Sequence, residues 1–143
     1  MNNHQKFREL HKEDKLLHIG NVWDVNSALL FEKMGYPSLG TSSTAVANSL
    51  GYEDGEEMSF NKLLSIVKSI TKKVFLPLTL EIEAGYMRNS SDIVENIILL
   101  GEAGVFGINL EDSVVVNCTR VITTSQEFRW LLYTLKKILT NKR

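Results

Sequence analysis

The stretch LPLTLEIEAGY, residues 76–86, alternates between two kinds of side chain along most of its length. In a β-strand, residues two apart project from the same face, so Glu81 and Glu83 are predicted to lie side by side. The opposite face receives only apolar side chains: Leu76, Leu78, Leu80 and Ile82. The stretch therefore predicts a strand that buries one face and brings two carboxylates to one spot.

Strand and helix patterns alternate on both sides of this stretch. Gly35 and Gly104 follow two of the predicted helices as stop signals, and Ser59, Ser91 and a Thr124–Glu127 capping box are predicted to begin three of them. The predicted strands cover residues 15–24, 36–43, 74–86 and 105–113, and the predicted helices cover residues 25–35, 60–74, 92–104 and 123–143.

Four strand-helix units in succession are typical of an α/β fold with a parallel sheet. The strands are apolar on both faces, as a sheet covered by helices requires. Two architectures fit this pattern: an open doubly wound sheet, or a TIM-type (β/α)8 barrel, which takes about 250 residues. With 143 residues, the chain would form a single domain over residues 1–143 and about half of such a barrel.

Composition excludes several classes of protein. A net charge of -1 lacks the basic surface that nucleic-acid binding needs, so no nucleic-acid partner is expected. No apolar run has the length of a membrane span or the form of a signal peptide, so no membrane partner is expected. The single cysteine, Cys118, allows no internal disulfide and has no zinc-site spacing, and a cytoplasmic location is predicted.

Polar residues follow each predicted strand, at the edge where α/β proteins bind ligands. Glu81, Glu83 and Glu111 would repel each other there unless a cation or shared protons offset their charge. Oxygen ligands without nearby His or Cys favour Mg2+, with Mn2+ as an alternative. By themselves, these glutamates are equally compatible with ordinary solvated residues. The polar residues at this edge are Asp24, Thr41–Ser43, Glu81, Glu83, Asn109 and Glu111.

Four segments together resemble the isocitrate lyase and phosphoenolpyruvate mutase superfamily, in the family's order and at about its spacing. They are NVWDVNSALLFEKMGY, GTSSTAVANSLGYEDGEEM, LPLTLEIEAGY and AGVFGINLEDS, and the resemblance runs from about Phe7 to Ser113. It implies an eight-stranded barrel fold and a Mg2+-dependent lyase or mutase. Such a protein would act on a small 2-oxo acid or phosphonate through a pyruvate enolate, breaking a carbon-carbon or carbon-phosphorus bond.

The resemblance also implies roles for individual residues. Glu81, Glu83 and Glu111 would hold the metal, and Asp54 and Glu111 would be catalytic. The implied substrate-binding residues are Trp23, Asp24, Thr41, Ser42 and Ser43. For Trp23 and Trp130, the sequence context by itself favours packing roles.

The chain departs from the family pattern at three places. Glu81 stands where the family has Asp, which moves the carboxylate outward, and Met87 stands where it has Gly. The lyases carry a Lys, Cys, Gly, His motif after the fourth strand, whereas this chain reads SVVVNCTRV, residues 113–121. Isocitrate cleavage is therefore not expected, and Cys118 is predicted to be a small apolar residue.

The resemblance extends over only the first half of the family barrel. The half-barrel would leave sheet edges and its inward face uncovered, so pairing with a second copy or with a full-length relative is predicted. Two alternatives to an active enzyme follow. One is a truncated remnant that binds ligand without turnover, and the other is an interaction protein that docks onto a full-length relative.

Overall fold

A parallel four-stranded sheet with helices along the chain forms the body of the protein. The computed structural model describes residues 3–12, 14–117 and 119–141. The sheet order is β1-β2-β3-β4, and a separate antiparallel hairpin, β5–β6, follows it. The strands are β1 (Ile19–Val22), β2 (Ser38–Thr41), β3 (Leu78–Glu81), β4 (Val105–Asn109), β5 (Ser113–Val116) and β6 (Thr119–Ile122), and the helices are α1 (Asn3–Leu10), α2 (Val25–Lys33), α3 (Ser43–Ser49), α4 (Phe60–Thr71), α5 (Ser90–Glu102) and α6 (Ser125–Asn141).

The predicted parallel α/β architecture is confirmed, and β3 lies inside the sheet with β2 and β4 as parallel neighbours. Leu78, Leu80 and Ile82 are at most 1% exposed, so the apolar face predicted for this stretch is buried, and Thr79 and Glu83 on the other face are buried as well. They belong to the same core as Val67 of α4 and Leu39 of β2. Complete burial of one such side chain stabilises the fold by about 1.5–3 kcal/mol.

The predicted starts of α4 and α5 need correction in detail. Helix α4 begins directly after Ser59, but the Ser59 side chain makes no capping hydrogen bond. Helix α5 is capped by Asn89, whose Oδ1 accepts a hydrogen bond from the backbone N–H of Asp92 at 2.9 Å. Ser91 lies inside the helix. Two polar residues preceded the same apolar stripe, and the sequence pattern alone did not distinguish between them.

The last helix, α6, has the predicted capping box and only part of the predicted apolar contact. Thr124 Oγ1 accepts from the Glu127 N–H at 3.2 Å, and Glu127 Oε2 accepts from the Thr124 N–H at 3.0 Å. Leu135 is buried in a small cluster with residues of α5. Trp130 is 69% exposed and stacks on the exposed Tyr133, so its prediction as a packing anchor is wrong.

Three elements were not predicted: α1, α3 and the hairpin. Helix α3 has only seven residues, and the side chains of β6 are exposed along its whole length, so neither carries a clear hydrophobic period. Cys118 lies outside the described residues, and its role stays a prediction. Within the described ranges, no helix has the length and apolar character needed to cross a membrane.

A tight reversal after β3 explains why glycine follows the glutamates. Glu83, Gly85 and Tyr86 all have positive φ angles, of 51°, 100° and 62°. A Cβ at position 85 would come within 2.9 Å of the Ile93 side chain. The Gly85 carbonyl also accepts a hydrogen bond at 3.0 Å from the buried Asn96 amide. Gly85 thus permits both the left-handed turn and the close approach of α5.

We expect Gly85→Ala to lower the free energy of unfolding by about 2–4 kcal/mol, because strained φ and overpacking add. Gly51→Ala is the matched control, since Gly51 has a φ of 80° but nothing within 4 Å of an added Cβ. It should cost about 1–2 kcal/mol, from φ strain alone. Urea unfolding of both variants measures the difference, and equal losses would contradict the packing argument.

Candidate functional site

The guanidinium of Arg120, on β6, lies among three carboxylates at the carboxyl edge of the sheet. Its Nη2 is 2.9 Å from Asp54 Oδ2 and 3.5 Å from Glu83 Oε2. Its Nη1 donates to Glu111 Oε2 and, at 2.9 Å, to Ser113 Oγ. We refer to Asp54, Glu83 and Glu111 as the carboxylate cluster. One side chain therefore ties together four separate segments of the chain.

Strands β3 and β4 place two members of this cluster next to each other. The Ile82 N–H donates to the Asn109 carbonyl at 3.0 Å, and the Glu111 N–H donates to the Glu83 carbonyl at 2.8 Å. These bonds continue the contact between the two chain segments past the ends of the strands. The backbone thus holds Glu83 and Glu111 as neighbours, whatever the protonation state of their carboxyl groups.

The loop between α3 and α4 supplies Asp54, and the hairpin lies directly on this loop. A Cβ at Gly55, whose φ is 99°, would come within 2.5 Å of the Val115 side chain. Glu56 anchors the other side of the loop, since its Oε1 accepts from the Tyr86 N–H at 2.7 Å and its Oε2 from Arg88 Nη1 at 2.8 Å. The loop is therefore held by the hairpin and by the turn that follows β3.

Glu81, the last residue of β3, extends its carboxylate to the start of α3, where it bonds to a residue predicted to bind substrate. Its Oε2 accepts from the Ser43 N–H at 2.8 Å and from Ser43 Oγ at 3.1 Å. Its own N–H donates to Thr41 Oγ1 at 3.2 Å, and Ser42 Oγ caps α3 by accepting from the Ala45 N–H. The hydroxyls of this segment are thus engaged within the protein.

The carboxyl groups of Glu83 and Asp54 hydrogen-bond to each other and respond in opposite directions. Burial raises the pKa of Glu83 to about 7, with further increases from the hydrogen bond to Asp54 and from nearby negative charge, against a smaller opposing effect of Ser43. Burial also opposes ionisation of Asp54, but hydrogen bonds from Glu83 and Thr44 and the charge of Arg120 lower its pKa overall. Glu83 therefore keeps its proton to a higher pH than Asp54 does.

Trp23 and Asp24, the other predicted substrate-binding residues, lie at the start of α2. Asp24 Oδ1 accepts from the Ser27 N–H at 2.7 Å, and Ser27 Oγ accepts from the Trp23 and Asp24 N–H groups at 3.1 Å. The structure thus gives Asp24 the role of helix cap. Trp23 is 41% exposed, which argues against the packing role predicted for it. Their predicted contacts with substrate stay predictions.

The structure divides the predicted metal ligands between two sets of partners, an arrangement that does not fit a divalent cation. Glu83 and Glu111 are bonded to Arg120, whereas Glu81 is bonded to Ser43. Among the residues that the structure describes, no group of three or more His, Cys, Asp or Glu is placed to hold a metal. Mg2+ and Mn2+ binding by Glu81, Glu83 and Glu111 therefore stays a prediction.

Sequence reasoning missed Arg120. Repulsion among the glutamates required a cation or shared protons. The structure shows a cation, the Arg120 guanidinium, and the raised pKa of Glu83 favours a proton on that carboxyl. The signal available in the sequence was a single arginine in the segment that replaces the lyase motif, residues 113–121. That segment gave no strand pattern from which the position of Arg120 could be predicted.

Comparison with known proteins places these features in a family. The family model of phosphoenolpyruvate phosphomutase matches residues 7–139. The 2-methylisocitrate lyase of Escherichia coli strain K12 is 29% identical over 106 residues, which are 73% of this chain and 36% of that protein. The crystal structure of a candidate phosphonomutase from Burkholderia cenocepacia J2315 is 30% identical, with a TM-score of 0.88 over 98% of this chain and 56% of that one.

A third comparison concerns a structure with bound ligands. Phosphonopyruvate hydrolase in complex with oxalate and Mg2+ shares the fold with a TM-score of 0.87 at 20% identity, covering 96% of this chain and 48% of that one. The chain spans 36–56% of the length of the three proteins described. The four parallel strand-helix units thus correspond to about half of a barrel in its relatives, which confirms the predicted half-barrel.

The raised pKa of Glu83 predicts a pH-dependent stability. Because the folded pKa of about 7 lies above the ordinary value of 4.5, the folded state keeps a proton that the unfolded state loses in this window. The stability from Glu83 is therefore present below pH 4.5 and is lost as the pH rises to about 7. Glu83→Gln keeps the position neutral, and its amide can donate to Asp54.

We expect Glu83→Gln to flatten the stability profile between these pH values and to raise the free energy of unfolding at pH 8 by about 1–3 kcal/mol. Urea unfolding across this pH range measures both effects. Glu102→Gln, at an exposed position at the end of α5, is the control and should keep the slope of the unmodified protein. If the slope in Glu83→Gln stays unchanged, the pH dependence does not come from the raised pKa of Glu83.

Proposed function

Because this chain belongs to the phosphoenolpyruvate phosphomutase family, within the isocitrate lyase and phosphoenolpyruvate mutase superfamily, we propose that it is a lyase- or mutase-like protein acting on a small 2-oxo acid or phosphonate. The observation that carries this proposal is the convergence of Asp54, Glu83 and Glu111 at the carboxyl edge of a parallel sheet. This is the edge where barrel enzymes do their chemistry.

The proposed reaction breaks a bond next to a carbonyl group and leaves the bonding electron pair on carbon as a pyruvate enolate. Where the bond is carbon-phosphorus, water takes up the phosphoryl group as phosphate. To become pyruvate, the enolate must take up a proton at carbon. A group with a pKa near the working pH is suited to that transfer, and Glu83 meets this condition. Asp54, ionised beside it, holds the proton on Glu83 by accepting its hydrogen bond. We therefore assign Glu83 as proton donor and Asp54 as its partner.

Mg2+ is the cofactor that the family resemblance implies, and a bound Mg2+ would supply positive charge to an enolate oxygen. The carboxylates as arranged do not fit it, so no step of the proposal depends on it. Residues 1–143 are proposed to form one domain. The cytoplasmic location stays a prediction.

The second candidate is a protein without turnover that binds ligand or a full-length relative. One observation favours it: Arg120 already engages the carboxylate cluster. Within the described residues, β1 and β4 each pair with one strand of the sheet, which leaves an edge on each. A second copy or a full-length relative could pair there.

Thermal unfolding with oxalate, a planar mimic of the enolate, separates these candidates. A ligand present at about 100 times its dissociation constant adds about 2.7 kcal/mol to the stability of the folded state, a shift of several degrees. We expect oxalate to raise the unfolding midpoint of the unmodified protein. An unmoved midpoint would contradict a 2-oxo acid site, and a mixed complex with a full-length relative would then favour the interaction protein.

Release of pyruvate from phosphonopyruvate measures turnover directly. If Glu83 donates the proton, Glu83→Gln should lose activity by about 100-fold or more, whereas Glu102→Gln should match the unmodified protein. Oxalate binding without pyruvate release would favour the remnant over the enzyme. Equal turnover in both variants would contradict the role assigned to Glu83.

A further inference from the structure

We propose that Arg120 is the permanent counter-ion of the carboxylate cluster and takes the electrostatic place of a divalent metal, so that this site assembles without one. The proposal concerns how the site is held together and does not depend on the reaction proposed above. It follows from the disagreement between the metal site that the family resemblance implies and the contacts that the structure shows.

A single guanidinium contacts every member of the carboxylate cluster. Arginine offers five N–H donors in a fixed plane and is always charged in proteins. Here Nη1 serves Glu111 and Ser113, and Nη2 serves Asp54 and Glu83. All three members of the cluster are reached by a single cation, as they would be by a shared metal ion.

The surroundings of Arg120 fix its position. Arg120 pairs with Val115 in the antiparallel hairpin. Val115 in turn packs on Gly55, next to Asp54, so closely that no side chain fits at position 55. In the described residues, the hairpin meets the loop and the turn after β3 without a water-sized space between them. Arg120 is thus placed by backbone pairing and packing.

A divalent cation and the Arg120 guanidinium would compete for the same carboxylates. A divalent ion bound by the same carboxylate oxygens would stand at contact distance from the guanidinium, and like charges so close repel strongly. Such an ion can enter only if Arg120 leaves, and then the hairpin loses its polar contacts with all three carboxylates. Arg120 and a metal therefore exclude each other at this site.

Mn2+ alone, without oxalate, tests the proposal in the unmodified protein and in Arg120→Gln. Arg129→Gln is the matched control, because Arg129 is an exposed arginine on α6. We expect Mn2+ to leave the unfolding midpoints of the unmodified protein and of Arg129→Gln unchanged. Arg120→Gln should melt several degrees lower without metal and regain part of the loss with Mn2+, with at least tenfold tighter Mn2+ binding by calorimetry.

Paramagnetic broadening by Mn2+ gives a second measurement that does not need a stable variant. In the unmodified protein, the amide signals of Glu83, Glu111 and Arg120 should broaden no more than those of exposed carboxylates such as Glu102. Selective broadening there, or Mn2+ binding as tight as in Arg120→Gln, would overturn the proposal. A folded Arg120→Gln that gains nothing from Mn2+ would also overturn it. Because oxalate is absent throughout, failure of the proposed reaction leaves this result unaffected.

Discussion

Mutual repulsion among carboxylates at one edge of a parallel sheet is the constraint on which this site depends. Parallel strands deliver their carboxyl ends to the same edge, so Glu83 and Glu111 meet because β3 and β4 are neighbours. Asp54 adds a third acid from the loop above. The Arg120 guanidinium offsets this repulsion, and the raised pKa of Glu83 favours a proton on that carboxyl, which reduces it further. The contacts of Arg120 position the hairpin, and the contacts of Asp54 with Arg120 and Glu83 position the loop.

The parts of the fold that local pattern determines were predictable. Alternation in residues 76–86 gave the buried face of β3, because Leu78 and Leu80 recur at the strand period. The parallel architecture followed from the order of strand and helix patterns. The start of α6 was predictable because Thr124 and Glu127 together form the capping-box pattern. Where Asn89 and Ser91 competed, the choice depended on geometry that the sequence does not display.

The parts that depend on distant contacts were not predictable. Arg120 and Asp54 lie 66 residues apart, and no period links them. The expected convergence of Glu81 and Glu83 was only partly correct, because the positive φ of Glu83 ends the regular alternation. The inward face of the sheet was expected to lie open, yet a Cβ at Gly107 would come within 2.9 Å of the Phe7 ring. Helix α1 therefore covers part of a face that was predicted to be bare.

The order of the charged residues along the chain has a consequence for how the protein is made. Asp54, Glu83 and Glu111 all precede Arg120, so a chain growing from its N-terminus contains every acid of the cluster before the base that balances them. Until the hairpin emerges from the ribosome, the sheet edge carries uncompensated negative charge, and only protons or ions from solution can relieve it. The closing of this edge therefore waits for the hairpin, and ionic strength matters most just before the hairpin forms.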